Sequence, residues 1–426
     1  MHRKLFKKVM FLFLTFLLTN TTLQAQYNPS AYFKYLEETF NEHQNSLQNI
    51  LIDELNYFLL LFPDDQNSGR AQFMLASVFN KKGKEHEALA AYLKMIYLYP
   101  SSAAIKANVD DLRRLVANER GYRNDQAYLL EIIDEDKGGM STADSYYRYL
   151  EVLVKLQKGG LKDSGIAACR DFIRRFPKDN RHAQTVLWMA DFFTASKDYA
   201  EANTTYQKFG RIFADSPKMA DIRYKQGMLH YKNLRKHEKG LSYLNEMVSN
   251  YPSSDLVGDA TFAIAEIKEK KQKNYDGAIL DYQQLVERYP TNANGAEALW
   301  RVGQLYEKKK KDPQQAIAAY NNLLASFPGS ERGPEALEEV ADLYKNDLED
   351  YENAAVALAR IAEAYPEYIK GPDRLIDAGK LVEDKLKDYQ KAIDYYQRVV
   401  DNFPNSGAVK DANKRIEKAT KKLNGE

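Results

Sequence analysis

Apolar side chains recur along this chain in a pattern that keeps closing on a proline. An aromatic-proline pair stands at Phe62-Pro63, Tyr99-Pro100, Phe176-Pro177, Tyr251-Pro252, Tyr289-Pro290, Phe327-Pro328, Tyr365-Pro366 and Phe403-Pro404, and from Pro252 onward the interval is 38 residues four times running. Phe213-Ala214 fills the gap between Pro177 and Pro252, and a degenerate unit around Ala127 to Gly139 fills the gap after Pro100. The spacing predicts about ten repeated units.

Within a unit, the residue twelve before the proline is mostly small: Leu51, Ala88, Gly165, Gly240, Ala278, Ala316, Ala354 and Ala392. The residue eight before it is bulky or apolar: Leu55, Tyr92, Cys169, Leu244, Tyr282, Tyr320, Leu358 and Tyr396. An offset of four puts the two on one face of a helix, the small one admitting a partner helix and the large one filling the space beside it. Proline then ends the helix by pushing its predecessor out of the α region. Upstream, Leu299, Val302, Gly303 and Tyr306 form a second amphipathic stripe, repeated by Leu337, Val340, Ala341 and Tyr344 and by Leu375, Ala378, Gly379 and Val382. Each unit is therefore expected to be a helix-turn-helix.

These residues resemble the tetratricopeptide-repeat (TPR) family, whose consensus has a large residue, Leu-Gly and Tyr in the first helix, and Ala, Phe or Tyr and a terminal Pro around the second. The resemblance is strongest from Asp255 to Pro404 and weakens between Ser101 and Ser164. It departs in length, the units having 38 residues rather than the family's 34, with extra residues in turns such as Lys308 to Pro313. Long units ending Tyr-Pro-x-Ser are similar to the repeats of bacterial envelope proteins, including the outer-membrane assembly lipoprotein BamD and the Tol-Pal coordinator. The resemblance implies an all-α, right-handed α-solenoid over residues 26–408 that binds other proteins. Val409, Ala412, Ile416, Ala419 and Leu423 give a last helix, 409–426, the apolar stripe of a cap.

The chain begins differently. Arg3, Lys4, Lys7 and Lys8 lead into the apolar run Val9 to Leu18 and then Leu23-Gln24-Ala25, which reads as a signal peptide over residues 1–25. The apolar run is too short to span a bilayer, which takes roughly 20 residues. Gln26 follows the expected cut, so the acceptor cysteine of a lipid anchor is missing there. The mature chain is expected to be exported and periplasmic or outer-membrane-associated. Cys169 is the sole cysteine, which excludes an internal disulfide. Of 61 basic and 60 acidic residues, four basic ones fall in the leader, and the near-neutral remainder offers no concentrated basic face of the kind nucleic acids require.

Candidate chemistry is sparse. His43, His86, His182, His230 and His237 include no i, i+4 pair of the type that holds zinc on a helix, and they read as surface histidines. Cys169 occupies the slot that Tyr92, Tyr282, Tyr320 and Tyr396 fill elsewhere, so it reads as a buried thiol rather than a nucleophile. Gly159 to Ser164 lacks phosphate-loop spacing and reads as a turn, and carboxylate pairs such as Glu338 and Glu339 follow from a charged helical surface. The lysine runs Lys268 to Lys273 and Lys308 to Lys311 fall near the end of a first helix, where cations complement the helix dipole; contact with anionic lipid or peptidoglycan is the other reading. No catalytic residue, metal or cofactor is expected.

In the family, first helices line a concave groove and the residue after the large consensus position faces it. The resemblance thus nominates Trp300, Gln304, Glu338, Asp342, Ile376 and Lys380 as partner-binding. Trp300 could instead lie between repeats. The expected function is a non-catalytic scaffold for proteins or peptides of the cell envelope. The alternative is a glycan- or peptidoglycan-binding solenoid, which would need several exposed aromatics in the groove.

Overall fold

The computed structural model describes residues 27–43, 45–135, 137, 139–156 and 158–425; the leader read over residues 1–25 lies outside them. All described elements are helical, and they divide into two compact units, residues 1–219 and 220–426. The first holds the helix pairs Pro29–His43 with Gln48–Leu61, Ser68–Lys81 with Glu85–Leu98, Ala103–Asn118 with Gln126–Asp134, Thr142–Leu156 with Lys162–Arg175, and His182–Ala195 with Tyr199–Ile212. The second holds all but the first residue of Met219–Met228 with His237–Asn250, then Val257–Ile267 with Tyr275–Arg288, Gly295–Leu305 with Pro313–Ser326, Gly333–Asn346 with Tyr351–Ala364, and Gly371–Leu381 with Tyr389–Asn402, followed by Val409–Leu423.

The second helices are alike because the same residues start and stop them. Those of Tyr275–Arg288, Pro313–Ser326, Tyr351–Ala364 and Tyr389–Asn402 all have 14 residues, with Asn274, Asp312, Asp350 and Asp388 as caps whose side chains accept from the backbone N–H three residues on. Each ends at the aromatic residue before proline, which leaves the helix with φ near −130°. Small residues set the crossing: a Cβ on Gly240 would stand 2.9 Å from the carbonyl oxygen of Gly227 on its partner helix. The paired large residues Tyr282, Tyr320 and Tyr396 are fully buried, as are Ala278, Ala316 and Ala392.

The first helices close in an unusual way. Four of them widen in their last turn to π geometry, over Leu229–Asn233, Lys268–Gln272, Tyr306–Lys310 and Val382–Leu386. The residue that reverses the chain has positive φ: Lys197, Arg235, Lys273, Lys311, Glu349 and Lys387, each 38 residues from the last. Side chains with a Cβ are strained in this left-handed region by roughly 1 kcal/mol, and glycine is not. Lys273→Gly and Lys311→Gly are therefore each expected to stabilise the second unit by about 1 kcal/mol, measured as a rise in the urea midpoint.

Two expectations need correction. The degenerate pair Ala103–Asn118 and Gln126–Asp134 does not carry the stack onward. Helix Thr142–Leu156 packs on Glu85–Leu98, the helix that also meets Ala103–Asn118, so this pair stands as a side excursion. His86, between them, bonds to the Tyr122 hydroxyl. In the terminal helix Ala412 and Ala419 are buried, but Leu423 is exposed, so the cap's apolar stripe stops a turn early.

Candidate functional site: a charged cleft on the first helices of the second unit

Consecutive first helices of the second unit are stitched by ion pairs. Arg301 reaches Glu269 of the preceding pair at 3.5 Å and Glu297 at 3.3 Å. Arg332 bridges Glu297 at 2.9 Å and Glu335 at 2.7 Å, and Arg374 reaches back to Glu338 at 2.7 Å. A second tie repeats inside three of the pairs: the hydroxyls of Tyr282, Tyr320 and Tyr396 donate to Glu269, Glu307 and Glu383 at 2.9, 3.1 and 3.1 Å.

Two helix pairs lack that tie. In Met219–Met228 with His237–Asn250 the two positions hold Leu244 and Tyr231, and in Gly333–Asn346 with Tyr351–Ala364 Leu358 stands for tyrosine and Lys345 for glutamate. Leu358 and Lys345 line a cleft of about 440 Å³ floored by Ala341, Leu358 and Leu381 and walled by Glu338, Asp342, Arg374, Asp377 and Lys380. Leucine lacks the ring and hydroxyl that Tyr320 and Tyr396 bring to this position in the neighbouring pairs. Arg374 holds the wall together, bonding to Glu338 and, at 3.0 Å, to Asp377, which in turn receives Lys380 at 3.1 Å. Burial works against the guanidinium charge, but Glu338 and Asp377 outweigh it and raise the Arg374 pKa. Asp342 is mostly exposed, with Lys345 at 3.8 Å.

The structure brings Glu338, Asp342 and Lys380 together in this cleft. It does not bring the other nominated residues there. Trp300 is 6% exposed, its ring 5.2 Å from that of Tyr320 and covered by the Arg332 guanidinium at 5.1 Å. Ile376 is 3% exposed and belongs to the core formed with Leu375, Tyr396 and Val399. Both are packing residues rather than groove anchors. Gln304 is half-buried and accepts from Arg301 at 3.4 Å. Sequence reasoning missed Arg374 and Asp377, although Arg374-x-x-Asp377-x-x-Lys380 is a run of opposite charges at helical neighbour spacing.

Elsewhere the expected chemistry stays structural. Cys169 is buried and its thiol pKa is pushed up by burial. His230, read as a surface histidine, is buried against Tyr243, with ring centroids 5.4 Å apart, and burial first, then Lys239 and Lys236, lower its pKa to about 4. Of residues 159–164, read as a turn, 159–161 form a short 3-10 turn, whereas 162–164 already belong to the helix Lys162–Arg175. Among the described residues no group of three or more His, Cys, Asp and Glu is placed to hold a metal, and no helix is long and apolar enough to cross a membrane.

Family models of the tetratricopeptide repeat match residues 70–102, 221–254, 267–331 and 381–406. Those segments carry TPR repeats. The matched segments fall on helix pairs of both units, and 267–331 leads up to the pair that forms the cleft. Similar solved structures include the C-terminal part of a TPR repeat-containing protein from Cytophaga hutchinsonii, at 14% identity over 62% of this chain and 98% of that one, with a TM-score of 0.41. A TPR protein from Parabacteroides merdae is similar at 15% identity over 64% of this chain and 99% of that one, TM-score 0.35. Pseudomonas aeruginosa pilF is similar at 15% identity over 54% and 95%, TM-score 0.33. No curated protein sequence matches the chain.

Proposed function

We propose that this TPR protein is a non-catalytic scaffold of the bacterial cell envelope that docks partner proteins or peptides in the cleft beside Leu358. The observation that carries the proposal is the replacement of the Tyr–Glu tie by Leu358 and Lys345. In this pair the two replaced positions line a cleft with an apolar floor and a wall of both charge signs. Such a surface suits a segment that inserts one or two apolar side chains and offers charge to the wall. Export through the signal peptide over residues 1–25, and a setting like that of the long-unit envelope TPRs resembling BamD or the Tol-Pal coordinator, belong to the same reading.

Filling the cleft tests it. Leu358→Tyr with Lys345→Glu restores the tie found in the neighbouring pairs, and Ala265 opposite Tyr282 shows that alanine and tyrosine share this crossing, so the double variant should melt no lower than wild type. Photo-crosslinkers at Asp342 and Lys380 are expected to trap a discrete envelope protein, with a control at exposed Leu280 trapping none. In the filled variant that crosslink should fall at least about tenfold. Equal trapping from Leu280, or undiminished trapping in the filled variant, would sink the cleft as the docking site. Retention on purified peptidoglycan with no protein trapped would replace the scaffold by the glycan-binding alternative. N-terminal sequencing of the cellular protein should begin at Gln26, and an intact Met1 would remove the export reading.

A further inference from the structure

The turns that join first to second helices in the second unit stand next to one another in a row. Gln272 of one turn donates to Glu238 beside the preceding turn at 3.1 Å; Lys310 of the following turn reaches Asp276 at 2.7 Å, and Lys309 lies over the Tyr275 ring at 5.8 Å. Charge along this row is segregated. The first three turns are dominated by cations: Lys232, Arg235 and Lys236 in the first, Lys268, Lys270, Lys271 and Lys273 in the second, and Lys308 to Lys311 in the third. The fourth reverses sign, with Asp347, Glu349, Asp350 and Glu352.

Local structure accounts for only part of this. Lys268, Lys270 and Lys310 are tied to Asp281, Glu266 and Asp276, and Lys308 stands 3.9 Å from Glu307. Arg235, Lys271, Lys273 and Lys311 are exposed and make no ion pair among the described residues. Helix dipoles favour cations at the end of every first helix alike, so they give no reason for the fourth turn to be acidic. Conformation gives no reason either, since Arg235, Lys273 and Lys311 occupy positive-φ positions that glycine would fill without strain. Charge is kept at three successive positions against the backbone's preference.

We propose that the row of turns Lys232–Lys236, Lys268–Lys273 and Lys308–Lys311 docks the second unit onto an anionic lipid surface. Charge complementarity selects a polyanion, and the side chains select a bilayer. Duplex recognition relies on guanidinium forks and on elements that enter a groove. Flexible ammonium groups at the rim of a helix stack instead meet a continuous layer of headgroup charge wherever they stand. The acidic fourth turn ends the contact, so the cleft beside Leu358 stays clear of the surface. This inference does not depend on the proposed partner binding.

The test is co-sedimentation of the full chain with vesicles of phosphatidylcholine alone or with about a third phosphatidylglycerol. Binding should require the anionic lipid, weaken with added salt, and fall about fivefold for each cation removed in Lys271→Gln and Lys309→Gln. Lys273→Gly with Lys311→Gly separates stability from docking, because this variant should melt higher and yet bind more weakly. Unchanged binding in both sets of variants overturns the proposal. So does equal binding to neutral vesicles, the result that the N-terminal apolar run alone would produce, or tighter binding to duplex DNA at the same salt.

Discussion

Replacing Gly303 by valine is expected to destabilise the second unit by about 3 kcal/mol, seen as a lower urea midpoint. A Cβ at Gly303 overlaps the Tyr320 ring. That ring has nowhere to retreat, because it is fully buried, touches Trp300 on one side and is held through its hydroxyl by Glu307. The neighbouring pair shows the compatible alternative, with Ala341 and Leu358 at the same two positions. Gly303→Ala combined with Tyr320→Leu should accordingly lie much closer to wild type than Gly303→Val alone. If Gly303→Val unfolds at the wild-type midpoint, close approach at this crossing contributes nothing.

Glu383→Leu is expected to cost about 3 kcal/mol and to release the terminal helix Val409–Leu423. The Glu383 carboxylate is 3% exposed and receives the Tyr396 hydroxyl at 3.1 Å and the Lys422 ammonium at 2.7 Å. Leucine would leave both donors without their partner, while the helix itself buries little beyond Ala412 and Ala419. Burial disfavours the charged carboxylate, but Lys422 and Tyr396 favour it more, so its folded pKa is lowered. The stabilisation is then complete above the unfolded value of about 4.3 and is lost as pH falls through the lower folded value. Urea midpoints of wild type and Glu383→Gln should differ at neutral pH and converge as the pH falls through the lowered folded pKa. A constant gap would assign the effect to shape alone.

The repeating framework was legible because its determinants are local and periodic. The aromatic-proline pairs end helices through the backbone, and the small-large pairs such as Ala316 and Tyr320 report a helix crossing that recurs at fixed spacing. The excursion at Ala103–Asn118 and Gln126–Asp134 was visible only as a loss of pattern, since where Thr142–Leu156 docks is decided by long-range packing on Glu85–Leu98. The candidate site was half legible. Trp300 was ambiguous because its position carries Phe262 one repeat earlier and Glu338 one repeat later. What decides is the second helix: Phe262 and Trp300 each lie against a tyrosine, Tyr282 and Tyr320, at 5.4 and 5.2 Å, whereas Glu338 belongs to the pair with Leu358. The arginine ladder was obscured because Arg301, Arg332 and Arg374 do not share a register, so each junction is bridged by a differently placed cation.

The absence of the Tyr–Glu tie from the pair Gly333–Asn346 and Tyr351–Ala364 also sets where this unit breathes. Amides of Tyr351–Ala364 lack the hydroxyl-carboxylate clasp that anchors Pro313–Ser326 and Tyr389–Asn402 to their partner helices. Local opening therefore begins in the middle of the unit rather than only at its frayed end, and deuterium enters this helix ahead of its two neighbours. A segment bound beside Leu358 would close that opening and slow exchange there first.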